Sequence, residues 1–161
     1  LNGMKFEGLA AECDHDLREF THAKFPHLSL LADAGNVTVE LVAKSLRCPR
    51  SCGILLSGGP PCQPFSIAGK QHGFSDIRAA PLNHFCRLKR DLEAYAHEQH
   101  IPFACLMEEV VAMTPVHRQN ITELFGGGPT LIHAADLGWV QRARFYWGLA
   151  GVLAHTTSTQ S

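Results

Sequence analysis

Hydrophobic and polar positions follow two rhythms along this chain. Compact apolar runs at residues 28–31, 53–56 and 102–107 have the length of buried strands, and residues 5–12 mix small and apolar positions as a further short strand would. Between them the apolar spacing lengthens to that of a helix. Leu17, Phe20 and Thr21 share one face over residues 16–24, with Asp14 and Asp16 as start signals and Phe25-Pro26 as the stop. Residues 37–46 are amphipathic with helical spacing, and residues 81–100 align Leu82, Phe85, Leu88, Leu92 and Tyr95 with charges between them. A short helix is expected over 119–125, broken by Gly126-Gly127-Gly128-Pro129, and the last two strands over 131–135 and 144–149. Strands alternating with helices, with polar residues gathering at strand ends, predict an open α/β sheet that takes its ligands at the carboxyl ends of the strands.

Composition narrows the class without naming it. The 161 residues suffice for one domain with a core and are short for two. A formal net charge of -1 gives no overall basic field, so a polyanion-binding surface would have to be local. The ten histidines are scattered, with no HExxH and no His/Cys cluster, and no metal site is expected. Six cysteines lack the spacing of a disulfide framework; Cys48 and Cys52 form a pair with no matching second pair, which falls short of a zinc site. There is no apolar run of about 18 residues and no signal-peptide pattern, so the expectation is a soluble, intracellular protein with reduced thiols and no membrane partner.

Chemistry concentrates in three places. Residues 57–66 read SGGPPCQPFS, directly after the strand at 53–56. Prolines fix φ and glycines permit close backbone approach, so Cys62 is held on a stiff loop at a strand end, where nucleophiles sit. A structural cysteine would more usually be buried within an element. Glu108 and Glu109 close the strand at 102–107; they are either solvated side chains or an acid pushed toward neutral pH by burial, the range a general acid needs. Arg142 and Arg144, spaced by one residue before Phe145-Tyr146-Trp147, point to the same side of an extended chain. They form either a surface pair or a clamp for phosphate or a developing oxyanion.

Taken in order, these pieces resemble the C5-cytosine DNA methyltransferases, from about Phe6 to Gly148. GGPPCQPFS is similar to that family's nucleophile loop, Met107-Glu108-Glu109-Val110 to its ENV element, and VQRARFYWG to its QxRxR element. The resemblance implies a Rossmann-like S-adenosylmethionine-dependent α/β fold, with residues 1–150 a partial catalytic domain and 151–161 a polar tail. It implies Cys62 as nucleophile, Glu108 as the residue bonding cytosine N3, Arg144 facing O2, and Arg142 orienting Glu108 or the nucleophile loop. Glu12, in the element Glu12-Cys13-Asp14, would bind the ribose hydroxyls of S-adenosylmethionine, and Asp33 the adenine amino group, with Pro60 and Pro61 beside the cofactor. Gln63, Ser66 and Arg78 would contact the substrate, Arg78 from the loop at 69–78 that closes over a flipped base. The implied partner is DNA, with tRNA as the lesser alternative. The chain is expected to act as a monomer, in the nucleus of a eukaryote or otherwise in the cytoplasm. A non-catalytic relative that binds nucleic acid or protein is the competing expectation.

The chain also departs from the family pattern. No glycine-rich FxGxG turn precedes Glu12, so the first strand is expected to be absent, and with the chain ending soon after Trp147 the target-recognition region is expected to be absent as well. Glu109 stands where the family has Asn, and Val140 where it has Gln, with Gln141 one place late.

Overall fold

The computed structural model describes residues 8–45, 53–60, 80–136 and 138–148. Cys62, Pro61, Gln63, Ser66, Arg78, the Cys48/Cys52 pair, the loop at 69–79 and the tail at 151–161 lie outside the described residues.

Two sheets make up the described fold. β1 (Gly8–Ala11) and β2 (Leu28–Leu31) pair in parallel, Gly8 opposite Leu28 and Ala11 opposite Leu31. The helix α1 (His15–Lys24) links them, starting at an Asp14 cap whose side chain accepts from the backbone N–H groups of Asp16 and Leu17. The second sheet has the order β3-β4-β6-β5, from β3 (Ile54–Gly58), β4 (Phe103–Val110), β5 (Thr130–His133) and β6 (Ala143–Trp147). β3 and β4 run parallel, joined through α3 (Ala80–Gln99), whereas β6 lies antiparallel between β4 and β5. This mixed α/β arrangement is the fold class the alternation of elements predicts.

Alternation along the strands decides where the core lies. Ile54, Cys105, Met107, Phe145 and Trp147 are buried on one face of the four-stranded sheet. Leu82 of α3 and Ile121 of α4 (Pro115–Phe125) close over Met107, Phe145 and Trp147, while Leu92 and Ala96 of α3 close over Ile54. Val39 and Val42 of α2 (Val39–Ser45) pack at the edge of the second cluster. The other face is less covered, with Leu55 60% exposed.

Three boundaries and the packing of one helix differ from the sequence expectation. α4 starts at Pro115, not at 119, because Thr114 caps it through the N–H of His117 and proline is favoured in a first turn. β4 continues through both glutamates to Val110, because β6 pairs with them: Glu108 lies opposite Tyr146 and Glu109 opposite Phe145. α1 buries no residue among those described, and Leu17 and Phe20 are more than half exposed, so its apolar face is not packed into either core cluster. α2 begins at Val39 and not at 37, because the Thr38 hydroxyl accepts from the Leu41 N–H ahead of it.

Candidate active site

Strand ends bring the chemistry together. Gly58, the last residue of β3, pairs with Met107, so the next residues along each chain, Gly59 and Glu108, come side by side. A methyl group at Gly59 would lie 2.8 Å from Glu108 Oε2, a distance only glycine avoids without displacing its neighbour. The start of the GGPPC loop therefore rests directly on the glutamate. Pro60 is half-buried there, and Cys62 follows two residues later, beyond the described part.

Both arginines reach the same carboxylate oxygen. Arg144 Nε is 2.6 Å from Glu108 Oε1 and Arg142 Nη2 is 3.6 Å from it. Arg144 also donates through Nη1 to the carbonyl of Ala143, which fixes the guanidinium against its own strand. Glu108 and Arg144 are partly buried, so their attraction is screened less than that of a surface pair, whereas Arg142 is more than half exposed. Among the described residues no hydrogen bond reaches Glu108 Oε2, which is left facing the Gly59 backbone. The arrangement is a carboxylate with one oxygen anchored by cations and the other presented beside the Gly59 backbone.

Sequence reasoning marked Glu109 only as a departure from the family's Asn, and its environment is opposite to that of Glu108. Strand alternation turns it into the helix-covered core with Cys105 and Met107, where it is 2% exposed. Its Oε2 accepts from the Val110 N–H at 2.9 Å, and its Oε1 is buried without a hydrogen-bond partner among the described residues. Burial foremost, with Glu108 adding to it, pushes this carboxyl up to about 7, against the opposing effects of the Val110 bond and Arg144.

The acids at 12 and 33 sit on the other sheet, just past the carboxyl ends of the adjacent strands β1 and β2. Glu12 Oε1 accepts from the N–H of Asp14 at 3.0 Å, and Asp33 Oδ1 from the N–H of Gly35 at 2.8 Å. One oxygen of each is thus committed to shaping its own turn, and the second is available to a hydroxyl or amine. Those acceptor oxygens fit the donors that the ribose hydroxyls and adenine amino group of S-adenosylmethionine offer. Arg18, which sequence reasoning did not select, donates to the carbonyls of both Glu12 and Cys13 at 2.8 Å and so holds this turn. Its only sequence signal is a cation one turn into α1, close to the end of β1. Gly35 packs against the ring of His84, which ties the Asp33 turn to α3.

Two of the described cysteines, Cys105 and Cys86, are unlike a nucleophile. Cys105 is buried and its thiol is pushed up to about 12 by desolvation, and burial likewise raises Cys86. No group of three His, Cys, Asp or Glu that could hold a metal occurs among the described residues, and no helix there is long and apolar enough to cross a membrane.

Comparison with known proteins gives this geometry a family. The family model for C-5 cytosine-specific DNA methylase matches residues 12–125, a span that contains Glu12, Asp33, Cys62 and Glu108 and stops short of the two arginines. The type II methyltransferase M.PspPI of Psychrobacter is 49% identical over 39 residues, 24% of this chain and 9% of that protein. M.AquIA of Picosynechococcus, also a type II methyltransferase, is 31% identical over 81 residues, 50% of this chain and 29% of that protein. A DNA modification methyltransferase encoded within an E. coli prophage superposes with a TM-score of 0.62 at 22% identity, over 90% of this chain and 40% of that one. The Entamoeba histolytica methyltransferase EhMeth gives 0.58 at 17% identity, over 86% and 42%. The matched regions span less than a third of these curated relatives and about two fifths of these solved structures. With the family model covering most of its length, the chain belongs to the C-5 cytosine-specific DNA methylase family.

Proposed function

We propose that this chain carries the catalytic part of an enzyme that transfers a methyl group from S-adenosylmethionine to C5 of cytosine in DNA. The observation that carries the reading is the Glu108 carboxylate, anchored through Oε1 by Arg142 and Arg144 and presenting Oε2 beside the GGPPC loop.

The residues divide the work. The Cys62 thiolate adds to C6 of the ring, forming a carbon–sulfur bond and pushing electrons toward C5. Glu108 shares a proton with N3, so the charge building on the ring is offset there, and Arg144 opposes the charge growing on O2. S-adenosylmethionine supplies the methyl group that C5 takes up. Loss of the C5 proton to a base then lets the carbon–sulfur bond break and returns the thiolate. Glu12 and Asp33 hold the cofactor by its ribose and adenine, with Pro60 and Pro61 beside it. Gln63, Ser66 and Arg78 contact the substrate. The target carbon is inaccessible in a stacked duplex, so the cytosine enters extruded from the helix.

Methyl transfer from radiolabelled S-adenosylmethionine tests this reading. The expected result is label in a cytosine-containing DNA duplex and loss of transfer in Cys62→Ser. Label appearing in tRNA and not in DNA would overturn the substrate assignment. Transfer that survives Cys62→Ser would overturn the mechanism.

A further inference from the structure

A buried acid adjoins the proposed catalytic carboxylate and has no part in the scheme above. Glu109 is buried on the sheet face it shares with Met107, Phe145 and Trp147, opposite Phe145, with one oxygen taken by the Val110 N–H and the other without a hydrogen-bond partner among the described residues. An ionised carboxylate there would leave charge on an oxygen with nothing to solvate it, which is costly; the neutral acid avoids that cost. With Glu109 neutral, the end of β4 carries one anion, Glu108, against two cations, Arg142 and Arg144. With Glu109 ionised, the cluster has no net charge.

We propose that Glu109 is a positioning residue of this site: as the neutral acid it leaves the Glu108–Arg142–Arg144 cluster net positive and receptive to an anionic nucleic acid, and its ionisation cancels that charge. The proposal rests on the nucleic-acid reading above. Glu109 faces away from Glu108 across the strand, so it acts by charge through the sheet and touches no substrate. The groups around it come from three further elements. β6 contributes Arg144 and, beyond it, Arg142. α4 contributes Arg118, whose guanidinium lies over the Phe145 ring at 5.6 Å, and His117 one residue earlier. α3 contributes Cys86, packed on the same cluster, and Lys89, held by Glu93 and lying over Phe125. Among the described residues none of these hydrogen-bonds Oε1 of Glu109.

The test is fluorescence anisotropy of a fluorescein-labelled, cytosine-containing oligodeoxynucleotide at constant ionic strength, for the wild type and Glu109→Gln. From about pH 6 to about pH 8 the wild type should lose about tenfold more affinity than Glu109→Gln, whose side chain is neutral throughout. Parallel profiles with intact binding would overturn the proposal alone. No binding by either protein at any pH would overturn the functional reading together with it. Should Glu109→Gln fail to fold, carbon-13 titration of the wild-type glutamate carboxyls gives the answer directly. One carboxyl titrating near neutrality is expected, and all of them titrating in the ordinary acid range would overturn the proposal.

Discussion

The two sheets hold their candidate functional acids by different means. In the β1–β2 unit, Glu12 and Asp33 are fixed by short local hydrogen bonds and by Arg18, and α1 buries no residue. In the four-stranded sheet, Glu108 stands on a strand whose opposite face is packed with Met107, Phe145 and Trp147. The difference shows how the turn proposed to face the cofactor is shaped by local capping bonds and one guanidinium. The carboxylate proposed to act beside Cys62 is instead built on a packed core. It also implies that damage to the first unit should weaken ligand binding with little loss of global stability, and that damage to the second should unfold the protein.

The largest expected effect tests that contrast directly. Trp147→Ala removes a side chain with no exposure and should cost about 3–5 kcal/mol in urea unfolding. Phe20→Ala, on the exposed face of α1, should stay within about 0.5 kcal/mol. Equal costs would erase the distinction.

The next effect concerns pH. The folded state raises Glu109 from 4.5 to about 7, so below 4.5 the group is protonated in both states and costs nothing. Between these values the unfolded chain releases a proton that the folded chain keeps, and stability falls as pH rises. Above about 7 the full penalty of about 3 kcal/mol is present. Chemical denaturation across this range should therefore show a smaller decline for Glu109→Gln than for the wild type.

Gly59→Ala probes the join between loop and carboxylate. The added methyl, 2.8 Å from Glu108 Oε2, should lower methyl transfer about a hundredfold while thermal melting changes little. Asp14→Ala is the mildest change. Loss of the α1 cap should cost about 1 kcal/mol, read by hydrogen exchange as faster opening of α1 with protection in β4 unchanged.

Local patterns carried much of the fold in this sequence. The apolar spacing of α3 and the compact runs of β2, β3 and β4 correspond to elements within a few residues. The antiparallel entry of β6 between β4 and β5, which extends β4 across both glutamates, comes from long-range pairing that no local window contains. Glu109 was legible in principle, since it continues the alternation of Cys105 and Met107, yet its charge argued for solvent. For the site, spacing put Arg142 and Arg144 on one side of an extended segment; their meeting at one oxygen of Glu108 required the strand register. Arg18 was invisible because its partners are backbone carbonyls, which have no signature in a sequence.

The central claim is a covalent step at Cys62 supported by Glu108. The most direct measurement is the mass of the protein after incubation with S-adenosylmethionine and a DNA duplex bearing 5-fluorocytosine at its target positions. Because the ring cannot release fluorine as a cation, the carbon–sulfur bond persists once the methyl has been taken up. The account predicts a wild-type adduct of protein plus oligonucleotide, none for Cys62→Ser, and little for Glu108→Gln. A wild-type protein that binds both ligands and forms no adduct, or an adduct that survives Cys62→Ser, would contradict it.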